Sequence, residues 1–283
     1  MRPQQIAALL DKAYGYTEVH GDGFYRALVA HAAGRLGQSE ALAALGAFQA
    51  ANGGFWGIGT LKAPLATMSN TINGLMWLCF LGGADSALTE RAVGFLRRTQ
   101  RPDGGWDEVE RIRQHNPTIW MVPGNYSNQV WYTVAICRYL MELGREGGVD
   151  FGAALDFVRR GWDGTGFPDY IHPHWMGLYV FSRLPQPDEA DREIAAGCLG
   201  RLAEYAGQPQ LNAGELGETA YAALGAGEAA AELFDKAQGR LAAGQAAEGY
   251  WDFADGDLED RVVSTAKVCG FWRGVLMGGS AGA

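Results

Sequence analysis

One phrase recurs three times in this chain with the same internal spacing, Leu-x3-Gln-x3-Gly-x-aromatic, and it limits the fold more than any other feature. It reads Leu45, Gln49, Gly53, Phe55, then Leu96, Gln100, Gly104, Trp106, then Leu241, Gln245, Gly249, Trp251. Recurrence at intervals of tens of residues marks stacked supersecondary units, each unable to bury its apolar face alone. The copies stand 51 and 145 residues apart. The longer gap is close to three periods, so two degraded copies are expected inside it. One is 157–167, with Gly161 at the glutamine position and Thr165-Gly166-Phe167 in place of Gly-Gly-Trp. The other, 205–212, keeps only a Gly/Gln/Pro break. With an N-terminal unit that lacks the phrase, 283 residues make six units, each long enough for two helices and their loops.

Each unit reads as an amphipathic helix, the glycine-rich phrase, and a second helix apolar on nearly every side. In the third unit Leu88, Ala92, Phe95 and Leu96 share one helical face, with Asp85 or Ser86 as N-cap. Helices of this first type are expected near 3–14, 39–51, 86–100, 150–160, 188–206 and 227–245. Helices of the second type are expected near 23–36, 69–81, 127–143, 175–184, 218–224 and 265–276. A helix apolar all round must be buried all round. Six of these ringed by six amphipathic ones give an all-α fold, an (α/α)6 toroid whose six inner helices line a central cavity; the alternative is an open superhelix of helix pairs.

Composition sets further limits. Nearly half the residues are hydrophobic, and no linker, low-complexity block or charge run divides the chain, so 1–283 is expected to be one toroid domain. No window approaches the length of a membrane span, and the N-terminus has no cleavage-site pattern, which predicts a soluble, cytoplasmic protein, with peripheral membrane contact left open. Cys79, Cys137, Cys198 and Cys269 fall within expected helices and read as small buried hydrophobes. A formal charge of −9 with scattered Lys and Arg argues against a nucleic-acid partner, and the lack of any Asp-Asp pair argues against tight pyrophosphate binding.

The segment Gly-Phe-Leu-x3-Gln-x3-Gly-Gly-Trp at 94–106 and its two copies resemble the QW repeat of squalene and oxidosqualene cyclases and of protein prenyltransferase β-subunits. The resemblance implies that the Gln and Trp residues tie outer helices together around a ring. It also implies an acid segment, Asp-x-Asp-Asp-Thr-Ala, at the start of an inner helix. The nearest equivalent here is Glu215-Leu216-Gly217-Glu218-Thr219-Ala220. Its flanking acids are retained as Glu and Thr-Ala is intact, but the position of the proton donor is Gly217. The prenyltransferase zinc site is not matched: Lys267 stands at the Asp position before Cys269, and no histidine follows, so no metal and no other cofactor is expected.

Function must therefore be read from the starts of the inner helices. Aligned by helix start, Asn70-Thr71, Asn128-Gln129, His174-Trp175, Glu218-Thr219 and Ser264-Thr265 are equivalent. Capping of orphan amides accounts for Asn and Ser, but it does not require His174, or His172 two residues before it. A carboxyl in a poorly solvated aromatic cavity has its pKa raised and can act as a general acid. Glu218 is thus the leading acid, with Glu215 one turn away and His172 or His174 as the other donors; a solvated cap pair is the competing reading. The cluster Asp255-Gly256-Asp257-Leu258-Glu259-Asp260 lacks the glycine and glutamate spacing of a calcium loop and reads as solvated.

Trp77, Trp131, Tyr132, Trp175, Tyr179, Tyr221, Phe271 and Trp272 fall on inner helices, with Asn128 among them. Trp120 lies in the long segment 107–123, which has the length of a lid. Aromatic faces stabilise passing cations, and they also simply pack. Three functions remain open. One is a metal-independent enzyme of the terpenoid-cyclase type, cyclising or isomerising an apolar, isoprenoid-derived substrate by protonation. The second is a non-catalytic module that binds an apolar metabolite. The third is a carbohydrate-active toroid, since carboxylates and tryptophans also suit glycosidases.

Overall fold

A computed structural model describes residues 1–59, 61–168, 171–208, 211–252 and 257–278. Among them the protein is all-helical, without a strand. In chain order the helices are α1 (Pro3–His20), α2 (Gly23–Ala32), α3 (Gln38–Gly46), α4 (Met68–Phe80), α5 (Ala87–Thr99), α6 (Tyr126–Leu143), α7 (Phe151–Arg160), α8 (His172–Ser182), α9 (Glu189–Tyr205), α10 (Ala213–Ala226), α11 (Ala231–Ala243) and α12 (Leu258–Gly278). All but α10 and α12 start within a few residues of where the two-helix period puts them. Their starts follow from local chemistry: side-chain oxygens of Thr67, Ser86, Asn125 and Asp150 accept the amide three residues on, at the first turns of α4, α5, α6 and α7.

The chain divides into two compact units, Leu45–Arg201 and Met1–Ala44 with Leu202–Ala283. In the first, α4 packs on α6 and α6 on α8, with α5 against α4 and α7 against α6. In the second, α12 packs on α10, α1 and α2, and α11 lies against α10.

The repeated phrase builds a joint, and its parts are the same each time. Gln49 Nε2 donates to Gly53 O (3.0 Å) and Leu88 O (2.8 Å). Gln100 Nε2 donates to Gly104 O (3.0 Å) and Asp150 O (2.8 Å), and Gln245 Nε2 to Gly249 O (3.0 Å) and Leu9 O (2.9 Å). Each glutamine thus closes its own turn and fastens it to another amphipathic helix. The glycines that follow have φ of +90°, +91° and +104°. A Cβ on them would collide with the carbonyl oxygens of Arg91, Ala153 and Lys12, so both backbone conformation and clearance require glycine. The aromatic residue ends the joint. The amides of Phe55, Trp106 and Trp251 donate to the hydroxyls of Thr71 (3.1 Å), Thr133 (3.1 Å) and Thr265 (3.0 Å) on the next apolar helix. The indoles of Trp106 and Trp251 return to the phrase's own leucine carbonyls, Leu96 and Leu241. The third joint joins the last phrase to the first helix of the chain.

Two expectations need correction. α10 begins at Ala213, because Asn212 and Glu215 form a reciprocal capping box, and α12 begins at Leu258 behind Asp257, whose carboxylate accepts the Asp260 amide (3.0 Å). Glu218 and Ser264 are therefore a turn or more inside their helices and cap nothing. Asp255 and Gly256 lie outside the described residues, as do residues 209 and 210 of the most degraded phrase. Of the cysteines, Cys137, Cys198 and Cys269 are buried thiols, but Cys79 is only half-buried.

Candidate functional site

The threonine hydroxyls give an alignment of the apolar helices that residue types alone miss. In the degraded fourth joint, Phe167 N–H donates to His174 Nε2 (3.2 Å), so His174 stands where Thr71, Thr133 and Thr265 stand elsewhere. The acceptor role fixes the unprotonated nitrogen as Nε2 by inference from the network. Phe167 and Trp162 flank the ring at 5.5 and 6.3 Å between centroids. Asn128 lies one turn before Thr133 and is not the counterpart of Asn70. Its side-chain amide donates to the Trp120 carbonyl, a short contact that holds the segment before α6.

His172 faces different company. Its ring is 5.8 Å from Trp131 and 4.8 Å from Trp175, both edge to face. Trp131 in turn meets Trp120 at 6.2 Å and Tyr132 at 4.9 Å. Trp120, Trp131 and His172 are half-buried, whereas Tyr132 and Trp175 are fully buried behind them. Five of the residues proposed from sequence thus form one aromatic cluster, from the second turn of α6, the first turn of α8 and the segment before α6, with Asn128 as its brace. The segment 107–123 that supplies Trp120 is tied at both ends. Asp107 Oδ2 accepts from Gly124 N (2.9 Å) and Gln129 Nε2 (2.8 Å), and Arg113 Nη2 donates to Pro123 O (3.0 Å).

Beneath this cluster lies a carboxylate that composition gave no reason to notice. Glu108 is buried and accepts the amides of Ser69 (2.8 Å) and Met68 (2.9 Å), the first residues of α4, with the Tyr132 hydroxyl at 3.5 Å. Burial raises its pKa, and the amides of Ser69, Met68 and Val109 pull it part of the way back.

Two turns further along α8, Tyr179 belongs to a second buried group. Arg138 of α6 is fully buried, with its guanidinium 5.1 and 5.4 Å from the centres of the Tyr139 and Tyr179 rings and Nη1 3.0 Å from Met176 Sδ. Arg183 Nη1 donates to the Tyr179 hydroxyl (3.1 Å). Burial pushes the Cys79 thiol well up, Glu142 adds to the push and Arg138 opposes it, which places all three groups together. The signal was legible: Arg138 is a charge in the middle of an otherwise apolar run. Trp77 is also fully buried and packs on Phe80 (5.7 Å).

In the unit that holds α10 and α12, Glu215 is occupied structurally. It completes the capping box, and its Oε1 accepts the Tyr205 hydroxyl (2.8 Å), which with burial raises the Tyr205 pKa. Glu218 is half-buried and interacts electrostatically with Lys267 of α12. Tyr221, one turn on, is half-buried and 6.3 Å from Phe271; Trp272 is fully buried, 4.9 Å from the same ring. A Cβ at Gly217 would touch Val268 at 4.0 Å, an ordinary contact, so the position admits a methyl group without strain. Among the described residues no group of three or more His, Cys, Asp or Glu side chains could hold a metal ion. Among them, too, no helix is long and apolar enough to cross a membrane.

These features define an all-helical protein of repeated helix pairs with aromatic clusters on its apolar helices. No family model matches the chain. A stretch of 80 residues is 36% identical to squalene–hopene cyclase of Alicyclobacillus acidocaldarius, and it covers 28% of this chain and 13% of that protein. A match of this extent suggests the superfamily of that cyclase at the level of fold, and assigns no residue a role.

Proposed function

We propose that 1–283 is a single (α/α)6 toroid domain, and that the protein cyclises or isomerises an apolar, isoprenoid-derived substrate by protonation in its central cavity, without a metal. The ring reading is supported by three joints that share the same glutamine, glycine and threonine bonds, one of them between the last phrase and the first helix. The chemical reading rests on one observation, the cluster in which Trp131 and Trp175 meet His172 while Trp120 and Tyr132 lie against Trp131. An imidazolium at that place delivers its proton to an alkene held against indole faces, and those faces stabilise the resulting carbocation. Of the four acids that the sequence offers, Glu215 and His174 already serve as cap and joint, which leaves His172 as donor in our reading and Glu218 as its rival. With acyclic isoprenoid alcohols and hydrocarbons as trial substrates, His172→Gln should lower turnover by about 10² or more and leave the helical circular dichroism unchanged. Loss in Glu218→Gln alone would move the donor to α10. Full activity in both variants would end the acid mechanism and favour a binding protein for an apolar metabolite, whose retained ligand mass spectrometry of gently purified protein would reveal.

A further inference from the structure

Lys267 is the one lysine on an apolar helix; the other three, Lys12, Lys62 and Lys236, are exposed. α10 and α12 run side by side in register, as Gly217 facing Val268 and Gly274 close to Tyr221 show. That register sets Lys267 against Glu218, one residue along from the contact of Gly217 with Val268. Its side chain remains half-buried, so solvent still reaches part of it, while protein crowds the ammonium. One turn earlier on α12, Ser264 is 99% buried, and its hydroxyl finds no hydrogen-bond partner among the described residues. An unsatisfied buried hydroxyl is costly unless something else supplies the bond. Ser264 and Lys267 share a helical face. A hydroxyl short of a partner, an amine and a carboxyl therefore lie along the seam of α10 and α12, with the half-buried Tyr221 further along it.

We propose that Lys267 forms an imine with an apolar aldehyde or ketone, with Glu218 as proton carrier and Ser264 as hydrogen-bond donor to the carbonyl oxygen. A permanently charged ligand suits the place less well, because Glu218 and Lys267 already neutralise each other. Transfer of the ammonium proton to Glu218 frees the amine lone pair, which attacks the carbonyl carbon while the carbonyl π pair moves to oxygen. Glu218 returns its proton to that oxygen, a second proton leaves the nitrogen through Glu218 to the same oxygen, and water departs as C=N forms. No oxidant or reductant enters. Burial lowers the Lys267 pKa and Glu218 resists this, which agrees with a lysine able to reach its neutral, nucleophilic form.

The inference shares with the proposed function only the apolar ligand, and its readout is covalent mass rather than turnover, so the two can fail separately. The whole protein is incubated at neutral pH with citronellal and sodium cyanoborohydride, and the reduced adduct is located by peptide mapping. One adduct per chain on Lys267 is expected, with labelling at Lys12, Lys62 and Lys236 lower by about tenfold. Lys267→Arg keeps the cation and should abolish the adduct while thermal unfolding stays cooperative. Glu218→Gln should slow labelling by about tenfold at the same site. Labelling spread over the exposed lysines, or none at Lys267, would overturn the proposal; an unchanged rate in Glu218→Gln would remove Glu218 from it.

Discussion

Trp106 and Phe167 occupy the same place in two helix pairs, and the amide of each needs one acceptor from the following apolar helix. At Trp106 the acceptor is Thr133, whose hydroxyl donates onward to Gln129 O (2.6 Å). At Phe167 it is His174. The fastening differs as well. Gln100 holds the second joint, whereas the fourth has Gly161 at that position, and a bidentate pair links α7 to α9 instead, Arg159 Nε and Nη2 donating to the buried Asp191 (2.8 and 3.0 Å). The turn is built differently too: Thr165 holds the place of Gly104, and the left-handed residue is Gly164, one position earlier. Gly104 is pressed against Ala153, while a Cβ on Gly164, with nearly the same φ of +91°, would meet nothing. A joint therefore demands an acceptor, a cross-link and a tight turn, but not particular residues. A histidine found among the apolar helices can be spent on such a demand.

The sharpest way to break this comparison is at the glycines. Gly104→Ala should cost about 3 kcal/mol or more, from a forced left-handed conformation plus collision with backbone. Gly164→Ala should cost only about 1 kcal/mol, from the conformation alone. Urea unfolding of both would show it, and equal losses would mean that the two turns are not distinguished by packing. At the acceptors the effect is smaller. Thr133→Val and His174→Ala each strand a buried amide, at about 1 to 3 kcal/mol. His174→Thr should recover less than full stability, because threonine is too short to reach from a turn built for imidazole. If His174→Ala were instead neutral for stability and abolished turnover, the histidine would be a catalytic group after all.

The smallest effect concerns Glu108, beside the Trp106 joint. A carboxyl whose folded pKa lies above its ordinary value of 4.5 binds more protons when folded. Its contribution is complete below that pH and is lost as pH rises through the folded value. Glu108→Gln should therefore gain on the parent protein across that window, by less than about 1.4 kcal/mol per pH unit. Parallel pH profiles of the unfolding midpoint would show that the α4 amides hold the ionised form as well as water does.

The helices themselves were legible, because apolar periodicity and the Gln/Gly/aromatic spacing are local properties of the chain. The start of α10 was missed because its cap, Asn212, lies behind a glycine-rich stretch that reads as loop. His174 and Asn128 were misaligned because the true equivalence is carried by a hydroxyl one turn deeper, at Thr133. Glu108 was passed over, since its partners on α4 lie about 40 residues away. Lys267 figured only as a departure from a zinc motif; its pairing with Glu218 arises from the register of α10 and α12, which no local pattern encodes.

The bond from Gln245 to Leu9 spans 236 residues of chain. At roughly 5 to 20 residues per second, a ribosome needs about 10 to 50 s to deliver the glutamine after the leucine has been made. Through that interval the apolar stripe of α1, which includes Ile6, Leu10 and Ala13, has α2 as a partner but neither α12 nor the last phrase. The growing chain must keep this stripe from other proteins until its final segment arrives, so slow translation or early termination threatens this joint before any other.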